Sequence, residues 1–192
     1  MGVRLRHARN GDGPLLPPGQ QARRLRRRPD PVARGAPRAS GRPLHVTGRV
    51  LDLGARPVGG VIVEIWQANH VGRYDHPSDG NPAPIDPYFR GYGVTVTDAQ
   101  GRYSFRTIQP AGYPVAPGWS RAPHVHFLLT GRHDRHVTQM WFPDEPLNAQ
   151  DRLLLLLAPT ERERVIARMK EPTRDMPADA RCAVFDIVLP NG

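Results

Sequence analysis

The sequence predicts an all-β protein, an antiparallel β-sandwich with long loops and one or two short helices near the C-terminal third. Three observations carry this. From about residue 44 the chain breaks into short runs rich in Val, Ile, Thr and aromatic side chains. Clusters of Gly, Pro, Asp and Asn separate them, which is the chemistry of tight turns. Helical character appears only late, after the last of the long strand-like runs but one, and no internal repeat is visible.

The elements follow in order. His45–Leu53 opens the pattern and Gly54-Ala55-Arg56-Pro57 closes it with turn residues. Val61–Trp66 is dominated by β-branched side chains and reads as a second strand. A loop rich in Asp, Pro and Gly covers roughly Gly72–Gly93. Val94–Thr97 and Tyr103–Ile108 flank Asp98-Ala99-Gln100-Gly101, which reads as a hairpin. His124–Leu129 and His136–Phe142 are the next strands. Ala149–Leu157 and Thr160–Met169 read as short helices, the second with Thr160 and Glu163 as a capping box. A terminal strand lies around Ala183–Leu189. Many short strands with regular turns indicate a sandwich.

A chain of 192 residues suffices for one domain with a full core, or one domain plus a tail. Its formal charge of +9 is unevenly placed. Residues 1–42 carry 11 Arg against Asp12 and Asp30, whereas residues 43–192 balance 16 Lys and Arg against 16 Asp and Glu. The first 42 residues, rich in Arg, Pro and Gly and without an aromatic, bury too little apolar surface to offset the entropy of ordering. They are expected to be disordered or extended, with residues 43–192 as the folded domain. The Arg24–Arg28 cluster offers RNA or an anionic surface a contact. The neutral body, lacking an aromatic and basic stripe, argues against a nucleic-acid partner. The longest apolar run, Leu153–Ala158, is too short to span a bilayer, so no membrane partner is expected. No apolar h-region followed by a cleavage site is seen. Cys182 is the only cysteine, which excludes an internal disulfide and fits a reducing, cytoplasmic location.

The most informative residues are His124 and His126, inside the apolar run Pro123–Leu129. On a strand of period two both imidazoles project from one face, with Val125 on the other. Taken alone, the pair reads as two hydrogen-bonded histidines at a sheet edge, or as half of a metal site. Tyr74 and Tyr113 lie in Gly- or Pro-flanked loops, where binding groups concentrate. Each by itself reads as an ordinary loop residue. Two phenolates beside two imidazoles, however, favour a hard trivalent ion over zinc.

At this point the residues resemble a known family. Val63-Glu64-Ile65-Trp66-Gln67-Ala68-Asn69 with Gly72-Arg73-Tyr74, Thr97-Asp98 with Gly101–Ile108, Gly112-Tyr113-Pro114, Arg121–Phe127 and Thr138–Phe142 look like the intradiol ring-cleavage dioxygenases. The likeness runs from about residue 44 to 190. It is strongest to the protocatechuate-cleaving branch, in particular its iron-bearing β-subunit type. Catechol and hydroxyquinol relatives share the histidine motif but resemble this chain less around Trp66–Asn69.

The resemblance implies a mononuclear, non-haem Fe(III) held by Tyr74, Tyr113, His124 and His126 with a solvent ligand. It makes Tyr113 and His126 axial, and Tyr74 and His124 equatorial. It places Arg121 beside the substrate ring with Gln139 hydrogen-bonded to it, and makes Tyr113 the phenolate that dissociates to take a substrate proton. It implies Fe(III)-dependent intradiol cleavage of a catecholic substrate by O2, with protocatechuate giving 3-carboxy-cis,cis-muconate as the leading case and catechol or hydroxyquinol as alternatives. It also implies an oligomer, one form of which includes an α-type subunit. Two departures stand out. Val115 occupies the place of an expected tryptophan, for which Trp119 is the candidate replacement, and residues 1–42 do not resemble the family's ordered extension.

A non-enzymatic, transthyretin-like sandwich is the rival from another class, but it would have no use for two loop tyrosines, His-x-His and Arg121 together. His70, His76, His133 and His136 read as surface or supporting residues. Trp66 and Trp141 read as sandwich core. Arg73 and Arg90 read as solvated loop arginines, with carboxylate binding as the alternative.

Overall fold

The structure is a computed structural model and describes residues 38–190. Most of the basic N-terminal segment, expected to be disordered or extended, therefore lies outside the described residues. Eight strands come first: β1 (Pro43–Leu51), β2 (Ile62–Trp66), β3 (Tyr92–Val96), β4 (Arg102–Ile108), β5 (Tyr113–Ala116), β6 (Trp119–Arg121), β7 (His124–Thr130) and β8 (Arg135–Trp141). A 3-10 turn at Pro146–Ala149 leads to two short helices, α1 (Arg152–Leu155) and α2 (Pro159–Val165). The described chain closes with β9 (Arg168–Lys170), β10 (Arg181–Val184) and β11 (Ile187–Val188).

β1 is the centre of the first sheet. β4 runs antiparallel along one side, while β10 and then β11 run parallel along the other, with β9 at the edge beyond β10. This sheet is thus mixed: the chain leaves the helices into β9, and its reversal from β9 into β10 sets β10 in the direction of β1. The second sheet, in the order β3-β2-β7-β8, is antiparallel throughout. β5 and β6 form a separate two-stranded ribbon.

Alternation along the strands builds the core. Val63, Ile65, Val125, Phe127, Leu129 and Met140 of the second sheet pack in one buried cluster with Leu44, Val46, Val50 and Tyr103 of the first. Phe127 sits centrally, its ring centroid 5.2 Å from that of Phe185 and 5.9 Å from that of Phe105. β7 is buried on both faces, which is why its sequence is apolar almost without interruption.

Three local expectations are corrected. Asp98–Gly101 does form a tight turn, with Gly101 at φ +70 and the Asp98 carboxylate accepting from the N–H groups of Gln100 and Arg102. The strands it joins are not partners, however: β3 pairs with β2 and β4 with β1, so the turn passes the chain between sheets. The stretch expected as one helix at Ala149–Leu157 is a 3-10 turn and a four-residue helix, interrupted where Asp151 caps α1. α2 ends at Val165, and the Glu161 carboxylate, not Glu163, reaches back to the Ala158 N–H. The last two residues of the predicted second helix, Arg168 and Met169, lie in β9. No helix among the described residues is long and apolar enough to cross a membrane.

Candidate metal centre

The odd-numbered residues of β7 enter the core, so His124, His126 and Leu128 face the opposite side of the second sheet. Cross-strand register fills that side with large groups. Trp66 on β2 and Gln139 on β8 flank His126, and Trp141 flanks His124. The Trp66 ring stacks on the His126 imidazole with centroids 4.8 Å apart and planes inclined by 5°. The two tryptophans expected in the sandwich core thus stand on the site face instead. The register decides this, because each lies directly opposite a histidine on the neighbouring strand and so shares its face.

The long loop after β2 brings in Tyr74. Asn69 shapes its start: the side-chain oxygen accepts from the N–H groups of Val71 and Arg73, and the side-chain amide donates to the Pro84 carbonyl. Asp79 then accepts from the Tyr74 N–H at 2.6 Å. Gly72 adopts φ +82, and a Cβ there would lie 2.5 Å from the Gly112 carbonyl oxygen. The loop therefore packs directly on the backbone beside Tyr113. Tyr113 opens β5, not a loop as the sequence suggested, and pairs in register with Arg121 of β6. The two phenol rings meet edge to face, 5.5 Å between centroids.

All four expected ligand residues are brought together. His124 Nε2 and His126 Nε2 are 3.0 Å apart, and the Tyr74 hydroxyl is 3.1 Å from His126 Nε2. The Tyr113 and His124 ring centroids are 5.8 Å apart. His124 Nδ1–H donates to the Ala122 carbonyl at 2.6 Å, which leaves its Nε2 with a lone pair aimed into the cluster. Burial, followed by the charge of Arg121, pushes the His124 pKa well below its ordinary value, against the opposing pull of the Ala122 carbonyl. Burial, then His124, then Arg121 do the same to His126. Both imidazoles are therefore held neutral, the form that ligates metals. Burial and the neighbouring Tyr113 push the Tyr74 phenol well above its ordinary value, with Arg121 pulling the other way. Two neutral imidazole nitrogens and two phenol oxygens in one buried cluster fit the Fe(III) that the family resemblance implies. Among the described residues no cluster of three or more His, Cys, Asp or Glu that could hold a metal exists, so these four residues stand out only when tyrosine is counted as a candidate ligand.

Arg121 is completely buried. It donates through Nη2 to the Gln139 side-chain oxygen, and its Nε reaches Asp151 Oδ2 at 3.1 Å. Its guanidinium also lies over the Trp141 ring, 6.0 Å from the centroid. Asp151 was not singled out from the sequence. Only its place before an apolar run, as an N-cap, could have drawn attention to it.

The remaining expectations sort as follows. Arg73 donates to the backbone carbonyls of Asn81 and Ala83, so it pins its own loop, and Arg90 is exposed. His133 is exposed, and His70, His76 and His136 are half-buried. Val115 packs against the cluster that holds Tyr74 and Tyr113. Trp119 lies under the Arg152 guanidinium, 5.2 Å from ring centroid to carbon, and so does not replace the missing aromatic in that cluster.

Comparison with known proteins bears on this geometry. A family model described as dioxygenase matches residues 27–191. The protocatechuate 3,4-dioxygenase beta chain of Burkholderia cepacia is 46% identical over 153 residues, covering 78% of this chain and 65% of that protein. The hydroxyquinol 1,2-dioxygenase of Rhizobium sp. (strain MTP-10005) is 34% identical over 125 residues, 58% of this chain and 41% of that protein. Among solved structures, the dioxygenase domain of a dioxygenase and carbohydrate-binding protein fusion from Streptomyces sp. SirexAA-E aligns with a TM-score of 0.60 at 28% identity, covering 85% of this chain and 91% of that one. The chain thus spans less than two thirds of the length of these two curated relatives. The family match over most of the chain and these likenesses lead to one conclusion: the chain belongs to the intradiol ring-cleavage dioxygenase family.

Proposed function

We propose that this chain catalyses Fe(III)-dependent intradiol cleavage of a catechol by O2, with protocatechuate as substrate and 3-carboxy-cis,cis-muconate as product. The observation that carries the reading is the buried convergence of Tyr74 and Tyr113 with the Nε2 atoms of His124 and His126. These four residues would hold the metal. Bound there, Fe(III) supplies a Lewis acid that takes a catechol as a chelating dianion and activates its ring toward O2.

The rest is done by the chain's own groups. The Tyr113 oxygen takes a proton from an incoming catechol hydroxyl. His124, fixed through Nδ1–H, keeps Nε2 as a donor of electrons and not of protons. Arg121 places a permanent positive charge behind the cluster, where it stabilises anionic oxygen. Gln139 and Asp151 keep that guanidinium from turning away. Trp66 covers one face of His126 and excludes water from it.

Likeness to a beta chain supports an assembly with an α-type subunit that contributes substrate contacts. Catechol or hydroxyquinol is the second reading for the substrate, and the observation in its favour is Val115, a small side chain against the tyrosine cluster. The test is turnover of the iron-loaded full-length chain, alone and co-expressed with an α-type subunit, on protocatechuate, catechol and hydroxyquinol, with products identified by mass. Ring-opened dicarboxylate from protocatechuate at the highest kcat/KM supports the proposal. Preference for another catechol transfers it to the second reading, and no cleavage of any of the three leaves the non-enzymatic sandwich as the better account.

A further inference from the structure

We propose that Asp151 is the positioning residue of this site, fixing with one buried carboxylate both the Arg121 guanidinium and Ala122, the residue whose carbonyl aims His124. The inference rests on the metal-centre reading above. Asp151 is completely buried in the segment between the 3-10 turn and α1. Its Oδ2 accepts three hydrogen bonds from two other parts of the chain: Arg121 Nε at 3.1 Å and the adjoining Ala122 N–H at 3.0 Å, and Trp141 Nε1 at 3.2 Å. Its Oδ1 accepts from the N–H groups of Leu153 and Leu154, which caps α1. One side chain thus ties the helix start, the end of β6 and the end of β8 together.

Two lines of control leave this carboxylate. The first is electrostatic. Arg121 is a buried cation, and a buried cation without a counter-charge is expelled or reoriented toward water. The Arg121–Asp151 pair, with neither side chain exposed, holds it in place at the cluster's back. The second runs through the backbone. The Ala122 N–H is held by Asp151, and the Ala122 carbonyl accepts from His124 Nδ1–H at 2.6 Å. A single peptide residue, fixed on both sides, therefore decides which nitrogen of His124 bears the proton. Helix capping alone needs Oδ1; it does not need Oδ2 aimed away from the helix at three site donors.

The test is a double-mutant cycle of Asp151→Ala and Arg121→Ala in the iron-loaded full-length chain, read as kcat/KM and as catechol affinity under argon. Each single change is expected to lower kcat/KM by roughly 10- to 100-fold, and the pair by more than Arg121→Ala alone but by less than the product of the two losses, because only the Arg121 line is shared. Multiplying losses would overturn the proposal. If Asp151→Ala fails to fold, Asp151→Asn takes its place with a smaller loss, because it keeps one acceptor oxygen toward Arg121. An iron-free readout separates this proposal from the functional one. Nitrogen-15 NMR of the histidines is expected to show His124 as the Nδ1–H tautomer in wild type and as a mixture in the Asp151 variant. An unchanged tautomer there counts against Asp151 whatever the activity, whereas a wild-type chain that binds no iron counts against the metal-centre reading alone.

Discussion

Replacing Tyr74 by Phe should change how many protons a trivalent ion displaces on binding. A phenol must lose its proton to ligate, whereas a neutral imidazole already offers its lone pair. Burial holds the Tyr74 phenol well above its ordinary value and both imidazoles well below theirs, so at neutral pH the protonated ligand atoms are phenol oxygens. Wild type then releases one phenol proton more than Tyr74→Phe. By linkage, the ratio of their iron affinities widens about 10-fold per pH unit, or about 1.4 kcal/mol. The variant should still fold. It loses a contact of 3.1 Å to His126, worth about 1 kcal/mol and a fall of roughly 2–4 °C in Tm for a chain of this size. The assay is competition with an iron chelator at several pH values between 6.5 and 8.5, wild type and variant side by side, so that the chelator's own protons cancel in the ratio. A ratio that does not move with pH would refute the reasoning.

The remaining predictions concern the scaffold. Iron-free protein should lose stability as pH falls below about 6.5. His124 and His126 have folded pKa values below their unfolded ones, so the unfolded state binds more protons there, and their contribution is complete above that pH and lost beneath it. The slope is about 1.4 kcal/mol per pH unit for each histidine, and a denaturation midpoint that stays flat between pH 7.5 and 5.5 contradicts the buried, neutral assignment. Gly72→Ala should cost about 1–3 kcal/mol, because the residue sits at φ +82 and its Cβ would lie 2.5 Å from the Gly112 carbonyl oxygen. Iron affinity should fall with it, since Tyr74 moves with the loop; unaltered melting and affinity would show that the loop does not pack there.

Much of this was legible because strand parity is a strong code. His124 and His126 had to share a face, and Val125 had to oppose them, once β7 was read as a strand. The same code does not by itself place Trp66 and Trp141. Their apolar bulk suggested the core, whereas the cross-strand register, which local sequence does not carry, sets them beside His126 and His124. Register also explains the false hairpin at Asp98–Gly101: the turn chemistry is sound, but local sequence does not say whether a tight turn stays in one sheet or changes sheets. The parallel pairing of β10 and β11 with β1 joins segments more than 130 residues apart, the chain reversing from β9 into β10 to reach it, and left no local mark. Asp151 was hidden for a related reason. Its partner Arg121 is 30 residues away, and burial of an aspartate shows in the sequence only as the polar opening of an apolar helix.

The most direct test of the central claim is the visible absorption spectrum of the iron-loaded full-length protein, wild type and Tyr113→Phe, before and after anaerobic addition of protocatechuate. A broad phenolate-to-Fe(III) band that weakens in the variant, and that shifts to longer wavelength when the catechol is added, is the predicted result. Colourless protein with iron demonstrably bound would contradict it, because Tyr74 and Tyr113 would then not be ligands and the dioxygenase chemistry assigned to this cluster would fall with them.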